Sequence, residues 1–273
     1  NRWMNCPAKT ALPLARRTAL MLPLPALGGC GMFDGWFGST KPPLPGKRYD
    51  VMPARDALKL TEGRSVTVPP VLADTGWPQP GGSPAHAGGN LAAHGKLQRL
   101  WSSDIGSGTG YRRRITAQPV VAGGLVFAMD SDAVVSAWNA QTGRSVWNFD
   151  TRRDDNRSTN VGGGIAADGG TLYAASGRAD VVALDAATGK LRWRVKTAAG
   201  ARSAPTVLDG RLYIPTLDDR LLGLSATDGK EIWSYQAPST ETAMLVLPAP
   251  ASADGIVVAG FATGDLQAVR AIS

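Results

Sequence analysis

Three sets of residues in this chain have types and spacings that invite a chemical reading. The first is Gly189-Lys190, inside "ALDAATGKLRW" at 183–193. A phosphate-cradling loop needs G-x-x-x-x-G-K-[ST] opening a helix, so that backbone N–H groups point at the anion. Leu191 follows Lys190, and the nearest upstream glycine is Gly177, so the pair is not such a loop. The second set is the carboxylates Asp154-Asp155, Asp180 and Asp218-Asp219. They have the oxygens that a Ca²⁺ site or a base requires, but each sits where a turn calls for Asp to brace the backbone. The third set is His86 and His94, in a Gly/Pro-rich stretch without Cys or acid at ligand spacing, which predicts no metal site. Catalytic residues, cofactor and metal are therefore all expected to be absent.

The cysteines point elsewhere. Lys9, Arg16 and Arg17 precede an apolar run from Thr18 to Leu27, followed by Gly28, Gly29 and Cys30. A basic start, a short apolar run and small residues before the cut describe a secretory signal, too short to span a bilayer. Leu27-Gly-Gly-Cys30 resembles the lipobox of bacterial lipoproteins, which implies acylation of Cys30 and a signal peptide over 1–29. Cys6 then leaves with the signal, and no intrachain disulfide remains possible. Residues 30–75 carry "KPPLPGKR" at 41–48 and "VPP" at 68–70, which predicts a Pro-rich, partly extended tether.

Net charge is +7 over 273 residues. Arg2, Lys9, Arg16 and Arg17 belong to 1–29, which has no acid; the remainder has 25 basic against 22 acidic residues, a mild +3. With no aromatic-basic platform in view, nucleic acid is not the expected partner.

The elements that carry these residues repeat. "AWNAQTGRSVW" at 137–147 and "GLSATDGKEIW" at 223–233 restate the opening segment. Trp147 to Trp193 is 46 residues and Trp193 to Trp233 is 40. Val126, Leu172, Leu212 and Val257 correspond, as do Phe127, Tyr173, Tyr213 and Val258. Turn pairs recur in register at Gly123-Gly124, Gly169-Gly170, Asp209-Gly210 and Asp254-Gly255, suiting the positive-φ turns of antiparallel hairpins. From Pro119 to Trp147, Ile165 to Trp193 and Pro205 to Trp233 the distance is 28 residues each time. Length varies only between units, at 18, 12 and 17 residues.

Within "APTVLDGRLYIPTLDDRLLGLSATDGKEIWSY" (204–235), four short β-type runs are divided by turn signals. Four strands per unit of about 40 residues read as a β-propeller blade, so the fold class is all-β. Gly143, Gly189 and Gly229 then belong to the turn between third and fourth strands, in the left-handed conformation. Trp147, Trp193 and Trp233 would each pack on a neighbouring blade. Burying roughly 150–250 Å² of indole contributes about 4–6 kcal/mol gross, as an upper bound. Trp101 stands 18 residues before Pro119, as Trp147 stands before Ile165, and predicts an orphan fourth strand. Residues 76–273 are thus expected to hold that closing strand, three blades and the start of a fourth. That is too few for a ring, and it predicts a piece of a longer chain.

The Ala-x-Thr-Gly-Lys-x-x-Trp repeat resembles the pyrroloquinoline-quinone (PQQ) type propeller repeat. Together with Leu27-Gly-Gly-Cys30, "GWPQPGGSPAHAGGN" (76–90) and "YRRRITAQPVVAGGLVFAMDSDAVVSA" (111–137), it resembles the BamB family of outer-membrane lipoproteins. The resemblance implies a ring of about eight PQQ-like blades, and a non-enzymatic scaffold in the β-barrel assembly (BAM) complex. Implied partners are the POTRA domains of BamA, other BAM subunits and unfolded outer-membrane proteins. The implied place is the periplasmic face of the outer membrane, with Gly31 after Cys30 where an Asp would signal inner-membrane retention. The alternatives are a quinoprotein dehydrogenase, or another periplasmic binding propeller. The usual dehydrogenases place adjacent cysteines under the cofactor, and no Cys-Cys occurs here.

Partner contacts are expected on the longer connections. "TRRDDNRSTN" (151–160) offers Arg152 and Arg153 for steering a partner. "STETAMLVLPAP" (239–250) sets Met244, Leu245, Val246 and Leu247 in a row. Two readings are open for these four: the start of the next inner strand, or an exposed apolar anchor, for which Met244 and Leu245 are the expected residues. The family connection carries a Leu-x-Leu-Arg contact for BamA, and the Arg is missing here.

Overall fold

A computed structural model describes residues 67–73, 76–92, 95–96, 98–111, 113–152, 162–239, 244 and 246–271, all within one unit, Ser65–Ser273. Cys30, Arg153, Leu245, His94 and Asp154-Asp155 lie outside the described residues.

The first sheet is β1 (Val120–Ala122), β2 (Leu125–Met129), β3 (Val134–Asn139) and β4 (Ser145–Asp150). The second is β5 (Gly163–Asp168), β6 (Thr171–Ser176), β7 (Asp180–Asp185) and β8 (Leu191–Lys196). The third is β9 (Thr206–Leu208), β10 (Arg211–Pro215), β11 (Arg220–Ser225) and β12 (Glu231–Gln236). A three-stranded sheet follows, β13 (Ala251–Ala253), β14 (Ile256–Gly260) and β15 (Leu266–Arg270). Each is an antiparallel meander in chain order, so the repeat units are three complete blades and three strands of the next. First and second strands meet at the glycine-bearing pairs, where Asp209 and Gly210 take φ of 50° and 70°. The primed turn matches the right-handed twist of the strands it joins.

The first three strands of the second and third blades read as almost continuously apolar because both of their faces are covered. In β6, Leu172 and Ala174 join Phe127, Val135 and Ile165 in the core between the first two blades. Their alternates Tyr173 and Ala175 join Val207, Leu212 and Leu222 in the core between the second and third. A third core holds Tyr213, Leu221, Val257 and Phe261. Period-two alternation thus assigns residues to one of two seams rather than to core or solvent. The inner strands β1, β5, β9 and β13 touch in succession, forming a hub.

Every seam is closed at its rim by the repeated tryptophan. The indole Nε1–H of Trp147 donates to Ala186 O (3.0 Å), that of Trp193 to Ala226 O (3.0 Å), and that of Trp233 to Ala271 O (3.3 Å). Each acceptor lies at the end of the next blade's third strand. Beneath the rings of Trp147 and Trp193 lies a glycine of that same blade. A Cβ on Gly189 would meet Trp147 at 2.6 Å, and one on Gly229 would meet Trp193 at 2.7 Å. Close approach and positive φ, +70° and +74°, both demand glycine there. Within its own blade each Trp leans on the second-strand aromatic, as in Tyr173–Trp193 at 6.0 Å between centroids.

Trp101 makes the same contact one blade earlier: its indole donates to Ala140 O at 2.8 Å, and a Cβ on Gly143 would meet it at 2.7 Å. Yet 98–105 forms no strand. The sequence predicts a strand because the tryptophan spacing fits. A fourth strand, however, needs a third strand to pair with, and no described segment supplies one.

Candidate functional site

The turns between second and third strands share one face with the connections between blades. Two stretches of that face differ in chemistry. Between the first and second blades it is ionic. Asp132 accepts from Arg113 Nη1 (2.9 Å) and Ser107 Oγ (2.8 Å), while Arg178 of the second blade donates from Nη1 to Asp132 O at 2.6 Å. Burial lowers the Arg178 pKa, the Asp132 carboxylate opposing that shift. Nearby, Arg152 is exposed and holds Asp150, with Nη2–Oδ2 at 2.5 Å. These hydrogen bonds keep the Asp150 carboxyl below the ordinary carboxylate range. Arg152 therefore stands at the surface as expected, but in a local ion pair rather than as a lone cation.

Between the third and fourth blades the face exposes apolar side chains, with Arg202, Thr216 and Asp219 buried beneath them. Met244 is 47% exposed and Val246 39%, whereas Leu247 is 3% exposed. The Leu247 N–H donates to Arg202 O (3.2 Å), and its side chain lies with Met244, Leu217 and Ala262 around a small cleft. Leu247 thus belongs to the interior, a correction to its place among surface anchors. The reason is alternation in an extended chain: 244 and 246 face out, 247 faces in. Leu217 is exposed at the second-to-third strand turn of the third blade, within the same cleft lining as Met244. Nothing in the sequence marks Leu217, because turn residues carry no periodicity.

The carboxylates at turns serve the backbone. Asp185 Oδ1 accepts from Thr188 N–H (3.0 Å) and Thr188 Oγ1 (2.8 Å), and Arg192 pairs with its other oxygen at 2.8 Å. Arg192 first, then Thr188, lowers the Asp185 pKa to about 2; Lys230 first, then Ser225, does the same for Asp228, also to about 2. Asp218 accepts from Thr216 Oγ1 at 2.6 Å, and Asp219 sits at φ 57°. Among the described residues no group of three His, Cys, Asp or Glu could hold a metal ion.

Two clefts flank the segment at 77–84, of about 550 Å³ and 420 Å³. The larger is walled by Pro78, Pro84, Leu125, Ala167 and Ala186, with Asp185 and Arg192 already paired to each other. Its chemistry suits apolar contact and offers no oxygen cage for a cation.

Comparison with known proteins agrees with this architecture. The profile of the family described as outer membrane protein assembly factor BamB matches residues 131–273. Outer membrane protein assembly factor BamB of Yersinia pestis is 33% identical over 177 residues, covering 63% of this chain and 44% of the relative. That of Bordetella pertussis is 27% identical over 174 residues, covering 64% and 42%. The chain spans less than half the length of these curated relatives. The crystal structure of BamB from Moraxella catarrhalis matches with a TM-score of 0.51 at 21% identity, over 58% of this chain and 46% of that one, a likeness of fold.

Proposed function

The chain belongs to the BamB family of outer membrane protein assembly factors, and on that premise we propose that it is a non-enzymatic scaffold for outer-membrane protein assembly. Acylated Cys30 would hold it at the periplasmic face of the outer membrane. Its partners would be the POTRA domains of BamA, other subunits of the complex, and unfolded outer-membrane proteins.

The observation that carries the reading is the connection between β12 and β13. Met244 and Val246 are exposed on it while Leu247 is buried and pins it in place. Flexible apolar side chains on a fixed base make an anchor that a partner's groove can cover. The missing Arg removes a charge that relatives of this type would use, so affinity here rests on apolar contact.

The test is a double variant, Met244→Asp with Val246→Asp, in the full-length protein. Co-purification with BamA should be lost while the thermal midpoint stays within a few degrees, as exposed positions allow. Unchanged capture, or collapse of the melt, would sink the assignment.

A further inference from the structure

The segment Trp77–Pro84, "WPQPGGSP", lies outside the named strands, yet one amide of each of the four described sheets donates to it. The Val121 N–H donates to Trp77 O (2.8 Å), Ala167 N–H to Pro78 O (2.8 Å), Val207 N–H to Gln79 Oε1 (2.9 Å) and Ser252 N–H to Pro84 O (2.7 Å). These four are one position of the repeat. They pair in their hairpins with Val126, Leu172, Leu212 and Val257, residues that correspond between units. Among the described residues the inner strands have no further strand on their hub side, and an unpaired edge amide is costly when buried. Pro78 and Pro84 bring carbonyls without any N–H of their own to satisfy.

Gln79 is the specific element. It is 3% exposed, and its Nε2 donates to Val207 O at 2.9 Å while its Oε1 accepts from Val207 N–H. The side-chain amide therefore presents a donor and an acceptor side by side, as a peptide group does, and stands in for a strand residue beside β9. The chain then doubles back: a Cβ on Gly81, at φ +77°, would come within 2.9 Å of His86 Cβ. Pro80, Gly81 and His86 face Val246, Leu247 and Pro248 across the cleft of about 420 Å³.

We propose that 77–84 is a four-point clamp on the hub that opens and closes as one unit and thereby positions the 246–249 connection. The positioning half rests on that connection being the partner surface; the clamp itself does not. Four amides spread over four blades are held by eight consecutive residues, so release at one point strips the geometry from the next.

The test is amide hydrogen exchange on Gln79→Ala in the full-length protein without partner. Exchange at Val121, Ala167, Val207 and Ser252 should speed up together, by about tenfold or more, with 246–249 losing protection and β8 unchanged. Acceleration confined to Val207 overturns the clamp. Concerted acceleration without change at 246–249 overturns the positioning role. If Gln79→Ala does not fold, Gln79→Glu keeps the acceptor and loses the donor; a smaller acceleration at all four amides supports the clamp, and none beyond Val207 overturns it. Loss of BamA capture in the Met244/Val246 variant with a normal exchange pattern tests the binding reading separately.

Discussion

The rim and the hub of this molecule join the same blades by opposite means. At the rim, one hydrogen bond is built four times, from an indole of one unit to a carbonyl of the next, and three of those indoles (Trp101, Trp147 and Trp193) also lie on a glycine there. At the hub, one unrepeated segment reaches four equivalent amides with three main-chain carbonyls and one side-chain amide. The rim is nearest-neighbour and additive, as in other stacked repeats. The hub contact is shared, so damage at one blade is passed to the others. The difference teaches that the repeat couples each blade to its neighbour, while the proposed clamp would couple all four at once.

The largest effect that would sharpen this contrast is Gly189→Ala. Its φ of +70° strains any side chain, and the new methyl would lie 2.6 Å from Trp147. Together these cost about 2–5 kcal/mol, a fall of roughly 5–15 °C in thermal midpoint. Gly170→Ala is the control, with φ +73° and nothing within 4 Å of the new methyl. It should cost only the backbone strain, about 1–2 kcal/mol. Equal losses in the two variants would show that the indole does not press on its glycine.

A smaller effect is expected from Trp193→Phe. It removes the 3.0 Å bond to Ala226 O, but Tyr173 Oη also reaches that carbonyl at 3.4 Å, so the oxygen keeps a donor. A loss of about 1–2 kcal/mol by denaturant melt is expected. A double variant with Gln79→Ala that loses no more than the sum would confirm that rim and hub act independently.

The smallest effect is on acid. Asp185 and Asp228 are held at about 2, below their ordinary 3.8. Their contribution is present above about pH 4 and is lost as pH falls through about 2. Because both lie at partly exposed turns, the stability change should be slight, and the readout is the titration of the Thr188 amide shift for Asp185 and the Lys230 amide shift for Asp228. A midpoint near 4 would show that the turn carboxylates are not engaged.

Much of the rim was legible in the residues. Constant spacing from unit to unit put each Trp on a neighbouring blade and each glycine in a left-handed turn, and the structure adds that the Trp101, Trp147 and Trp193 rings rest on those very glycines. The Gly-Lys segment is a turn, as its three copies argued. Trp101 was read as a strand because spacing reports where a ring must sit, not whether its backbone has a strand to pair with. Of the apolar row at 244–247, the sequence left surface and interior open. An extended chain splits the row by alternation, and which parity points inward depends on where Arg202 O receives Leu247.

The amino-acid sequence determined by itself the class of the fold, the four-strand unit and the rim contacts. These arise from short-range periodicity and from steric demands that only Gly and Trp meet, and repetition makes them visible. The Asp132–Arg178 seam, the exposed Leu217 and the strap at 77–84 were decided only in the tertiary structure. Each joins residues distant along the chain, Gln79 and Val207 being 128 apart, through single contacts with no period to betray them. A glutamine among prolines and glycines shows nothing of the edge it will complete until four blades have brought their inner strands to one hub.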